Sequence, residues 1–157
     1  MARRWVGMRR RLRSVALLAV VLGAADLAVA RLVPHNAAYD HHRSAGWAAL
    51  SIGVFLFVAA LSLVPSRLLA TGCGLQAGGT LGNLLWALDH HLVVSNSFVL
   101  RGSDSGVAFT LGDVFVLVGI LVIVAGSIRM TIRHRHRLPQ STVAVRLYRR
   151  LAVACRR

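Results

Sequence analysis

Four apolar runs set the limits on what this chain can fold into. Residues 15–33, 45–64, 68–88 and 106–128 each carry at most two charged side chains. A helix rises 1.5 Å per residue, so a run of about 20 residues crosses a hydrocarbon core of about 30 Å. The expected fold is an all-α membrane protein: a bundle of four transmembrane helices with a polar outer loop region. Hydrophobic residues make up 56% of the 157, which agrees with that class. The membrane domain, residues 15–128, lies between a basic N-terminus (residues 1–14) and a basic tail (residues 129–157).

The charge pattern gives these spans a direction. The net charge is +14; all 19 basic residues are arginine and all five acidic ones aspartate. Six arginines precede Ser14, Arg67 occupies the turn between the second and third runs, and nine follow Ile128. Arg31, Arg43 and Arg101 fall on the opposite side, as do all the aspartates and most of the histidines. The positive-inside rule then makes both termini cytoplasmic. It also accounts for the charge without a nucleic-acid partner, and the sequence holds no nucleic-acid-binding motif. In the tail, Ser141 is placed to cap a helix with Val143, Leu147 and Leu151 on one face. A basic amphipathic helix on the anionic inner leaflet is expected there.

Several segments have two readings. Residues 1–30 resemble a signal peptide ending in Ala28-Val29-Ala30, but Asp26 and the further spans favour a retained first helix. Asp40, His41 and His42 are either a metal cluster or a solvated loop, and adjacent histidines favour the loop. Cys73 and Cys155 have no metal or redox spacing and are expected as free thiols. Leu92-Val93-Val94 and Phe98-Val99-Leu100 touch the interface or form a small strand pair. Gly74, Gly78 and Gly82 line one face of the third helix, a stripe that lets helices approach closely in lipid.

The chemistry centres on Asp113, in an otherwise uncharged run. A carboxylate inside a span costs roughly 2.5–3.5 kcal/mol on insertion scales, which marks it as a functional candidate. Thr110, three residues earlier, is expected on the same face of the fourth helix. Asn83 either bonds a neighbouring helix or serves the site. Asp113 either acts chemically or caps the start of its helix.

These residues resemble the lipoprotein signal peptidase family, signal peptidase II of the bacterial inner membrane. Asp26 in the first span, Asn36-Ala37-Ala38-Tyr39 after it, Gly78-Gly79-Thr80-Leu81-Gly82-Asn83 ending the third span and Phe109-Thr110-Leu111-Gly112-Asp113 in the fourth carry the likeness, over roughly residues 15–128. The family is a cofactor-free aspartic endopeptidase that removes signal peptides from lipid-modified prolipoproteins. The resemblance implies Asp113 as the second catalytic aspartate and Asp26, Asn36, Asn83 and Thr110 as substrate-binding or supporting positions. It also shows departures. Trp86-Ala87 stands where the family has Asp-Arg, Thr110 where it has Asn, and Ser95, after Val93-Val94, where it has the first catalytic aspartate. A serine cannot share a proton as a carboxylate does. Three functions follow: a relative with impaired or lost catalysis that holds a lipidated peptide or lipid; an active peptidase using Asp104 or Asp89 as substitute partner; or an unrelated four-helix membrane subunit.

Overall fold

The computed structural model describes residues 2–34, 39–101 and 106–135. Four helices account for most of them: α1 (Ala2–Leu32), α2 (Ala45–Leu61), α3 (Arg67–Asp89) and α4 (Leu111–Arg133). Between them lie four short strands, β1 (His41–His42), β2 (Val93–Val94), β3 (Phe98–Arg101) and β4 (Gly106–Phe109). Two helical segments, Val6–Leu32 and Leu111–Arg133, are long and apolar enough to cross a membrane. The apolar helix α2 has 17 residues, and α3 dilutes its apolar character with glycine, threonine, Gln76 and Asn83.

Local chemistry sets the ends. Ser44 and Ser66 cap α2 and α3, each accepting a hydrogen bond from the backbone N–H three residues on. Helix α2 stops at Leu61, short of the expected residue 64. There the Ser62 hydroxyl turns back to the Ala59 carbonyl, 2.6 Å away, and Pro65 follows closely. Helix α1 starts at Ala2 rather than residue 15, because the arginine-rich segment is made of good helix formers.

Two expectations at the opposite end are corrected. The fourth helix begins at Leu111, not residue 106, since Gly106–Phe109 is drawn into a ladder with Phe98–Arg101. The two short apolar runs do not pair with each other. Val93–Val94 pairs antiparallel with His41–His42, and Phe98 faces Phe109 in the second ladder with its ring stacked 5.6 Å away. The tail helix expected after Pro139 lies outside the described residues.

Helix α3 is the centre. It packs against α1, α2 and α4, and most of its residues between Leu69 and Ala87 are buried. Leu18 of α1 sits against Gly74, Leu22 against Gly78 and Asp26 against Gly82, so α1 and α3 run parallel. On another face Ile123 meets Gly72 and Val116 meets Gly79, so α4 runs antiparallel. Val15, Ala19, Val58, Ala70, Cys73 and Ala77 form the hydrophobic core. Large apolar side chains on the outer faces, such as Leu17, Phe57, Leu117 and Leu121, are more than half exposed.

Candidate functional site

The site is built where α4 begins. Thr110 is the N-cap of that helix (φ −97°, ψ 166°), and Asp113 occupies its third position. They form a capping box: the Asp113 N–H donates to Thr110 Oγ1 at 3.0 Å, and the Thr110 N–H donates to Asp113 Oδ2 at 3.0 Å. Thr110 therefore precedes the helix and does not share a helical face with Asp113, as the spacing suggested.

Asn83 joins this box from α3. Its Nδ2 donates to Asp113 Oδ1 at 2.9 Å, and its Oδ1 accepts from the Thr110 hydroxyl at 2.8 Å. With the Thr110 hydroxyl donating to its Oδ1, the amide turns its NH₂ toward Asp113. Thr110 and Asn83 are both buried. Asn83 thus makes the interhelical bond considered for it, and its partner is Asp113.

Asp26 comes to the same helix end from α1. Its Oδ1 accepts from the Gly112 N–H at 2.6 Å, and the side chain is 4% exposed. It is wedged between glycines: a Cβ on Gly112 would stand 2.8 Å from its Oδ2, and one on Gly82 would lie 2.8 Å from its Cβ. Two carboxylates therefore serve the first turn of α4, where unpaired N–H groups and the positive end of the helix dipole favour negative charge.

Beside Asp113 a cavity of about 190 Å³ opens between α2, α3 and α4. Asn83, Asp113, Gln76, Thr80 and Ser51 give it a polar lining, and Trp47, Leu50, Val54 and Val116 give it apolar walls. Gln76 is 6% exposed, and its Oε1 has no hydrogen-bond partner among the described residues. Sequence reading passed over Gln76, although a carboxamide in the middle of an apolar helix was a visible signal.

The other described candidates, Ser95 and Asp89, do not line this cavity. Ser95 is buried directly after β2 but does not line the cavity, and no hydrogen bond among the described residues ties it to the Asp113 cluster. Its neighbour Asn96, not anticipated, donates to the Tyr39 carbonyl at 2.5 Å and lies 2.8 Å from His41 Nδ1, clamping β1 to this loop. Asp89 is exposed at the end of α3, 3.8 Å from His90, in a shallow cavity shared with Leu27 and Arg31 of α1. It does not line the Asp113 cavity. Asn36 and Asp104 lie outside the described residues. Among the described residues no group of three metal-ligating side chains converges.

A carboxylate with two fixed donors can accept a further hydrogen bond from a ligand or a water. To cleave a peptide bond by acid–base chemistry it needs a second proton-carrying group within reach, and among the described residues no other carboxylate lines the cavity. No protein-family model, curated protein or solved structure matches the chain.

Proposed function

We propose that the chain is a four-span protein of the bacterial inner membrane with both termini cytoplasmic. In this reading it keeps a signal peptidase II-like scaffold and holds a lipid-modified prolipoprotein, or a lipid, in the cavity beside Asp113. Proteolysis is impaired or lost, because Ser95 stands where the resemblance implies the first catalytic aspartate. The carrying observation is the Asn83–Thr110–Asp113 cluster, opening on a cavity whose lining is polar and whose walls are apolar. That combination suits a peptide–lipid junction, with backbone amides at one end and acyl chains at the other. The exposed apolar side chains of α1, α2 and α4 are those a bilayer would cover.

The test is cleavage of a diacylglyceryl-modified prolipoprotein by the full chain in detergent, with photo-crosslinking from position 50 in the cavity wall. Wild type is expected to crosslink substrate and leave it uncut, and Ser95→Asp to gain cleavage that Ser95→Asp/Asp113→Asn lacks. Cleavage by wild type that Asp113→Asn abolishes would instead support the active reading. Asp104 would then be the first substitute partner to test, since Asp89 lines a different cavity. Neither crosslinking nor cleavage would remove the family reading altogether.

A further inference from the structure

The end of the molecule remote from Asp113 carries a second feature. The start of α3 and the end of α4 enclose a cavity of about 380 Å³ lined by Ser66, Arg67, Arg129, Arg133 and His134. On the other side of Arg67, between α1 and α3, a cavity of about 310 Å³ is lined by Arg10, Arg11, Ser14 and Thr71 as well as Arg67. All five aspartates lie elsewhere in the chain. The one close contact between a carboxylate and a basic side chain among the described residues is Asp89 with His90, at the opposite end. The clustered guanidiniums therefore have no counter-charge from described side chains, and Arg11 Nε is buried with no hydrogen-bond partner among the described residues.

We infer that the α3–α4 cavity binds the phosphate of an anionic lipid headgroup. Guanidinium forks match phosphate oxygens in pairs, and three of them from two helices converge here. A lipid is favoured over a free phosphate because the cavity borders apolar surface. Leu68, 36% exposed, lines the cavity itself, and Ile128, 56% exposed, directly precedes Arg129 on the side of the helix middle. This inference rests on the membrane reading but not on the cavity beside Asp113 or on any peptidase relationship.

The experiment compares thermal unfolding of the full chain in neutral detergent with added phosphatidylglycerol, phosphatidylcholine or inorganic phosphate. Phosphatidylglycerol is expected to raise Tm by roughly 2–4 °C or more, through preferential binding to the folded state. Phosphatidylcholine and inorganic phosphate are expected to do much less. Arg129→Gln/Arg133→Gln should lose most of the shift, and Arg129→Lys/Arg133→Lys should keep part of it. Should the glutamine variant not fold, native mass spectrometry of wild type decides by the headgroup of the lipid it retains. Equal shifts with both lipids, an unchanged shift in the glutamine variant, or retained lipids with no anionic preference would overturn the inference. An equal shift with inorganic phosphate would overturn its lipid source. Liposome flotation of wild type separates the two readings: a chain that does not insert fails as a membrane protein, whereas one that inserts without anionic preference fails only here.

Discussion

Asp26 shows how far a single side chain can be read from its type. A lone aspartate in an apolar run marks a site, and the site it belongs to is the start of α4, through the Gly112 N–H. The partner is a backbone group 86 residues away, and no side-chain pattern announces it. Asn83, Thr110 and Asp113 were legible in the same way, as polar groups in apolar surroundings; that Thr110 caps the helix, and that Asn83 bridges cap and carboxylate, needed coordinates. If Asp26 acts as a cap, Asp26→Asn keeps an oxygen for Gly112 and should unfold close to wild type. Asp26→Ala should lose about 1–2 kcal/mol, in the range measured for helix caps. Equal losses in both variants would mean that the charge, not the acceptor, matters. Asp113 makes a different demand. Both of its oxygens accept hydrogen bonds, so Asp113→Asn would turn an NH₂ toward either Asn83 Nδ2 or the Thr110 N–H. That variant should be less stable than wild type by about 1–2 kcal/mol even if no chemistry occurs at the site. Chemical or thermal unfolding must therefore accompany any activity assay on it.

Among the elements, α3 decides the packing. The Gly74, Gly78 and Gly82 stripe was visible as a four-residue repeat, and it is the face that receives α1. A second face, with Gly72, Gln76 and Gly79 toward α4, was hidden because its spacing interleaves with the first and a glutamine interrupts it. The strands were legible only in part: the runs at 92–94 and 98–100 were expected as a possible strand pair, but not their partners His41–His42 and Gly106–Phe109. Two- and four-residue segments carry too little period to separate strand from loop, and β4 joins directly onto an apolar helix. The glycine contacts give a paired test. A Cβ on Gly119 would stand 2.6 Å from the Gln76 backbone nitrogen and 3.0 Å from the Gly72 carbonyl oxygen. Neither is a side chain that can swing away, so Gly119→Ala must push α3 and α4 apart. It is expected to destabilise by about 1–3 kcal/mol, the usual cost of overpacking. Gly53, in the middle of α2, has nothing within 4 Å of such a Cβ. There alanine should be neutral, or stabilising by up to about 1 kcal/mol through helix propensity. Equal effects at the two positions would contradict the tight α3–α4 contact.

At the scale of the whole molecule, charge and packing agree on two ends. Arg10, Arg11, Arg67, Arg129 and Arg133 gather around cavities at one end, while Asp26, Asn83, Thr110 and Asp113 are joined at the other. The separation of the two ends was expected from arginine counts, on the reading that alternating helices sort flanking charges by side. Sequence reading did not find that the arginines form cavities, which depends on how far α1 and α4 run past the core. If the arginine end is cytoplasmic, a membrane-impermeant thiol reagent should distinguish the two ends in intact cells. Cys73 is fully buried and should stay unlabelled; Cys155→Ser removes the other thiol. In that background Asp89→Cys, at a side chain 71% exposed, should label from outside without permeabilisation. Arg135→Cys, exposed just past the end of α4, should label only after the membrane is opened. The reverse pattern would invert the topology and place the Asp113 cavity toward the cytoplasm, away from exported prolipoproteins. Labelling of both positions in intact cells would put the two ends on the same side. An even number of crossings would then have to separate residue 89 from residue 135, and α4 as the single crossing between them would be ruled out.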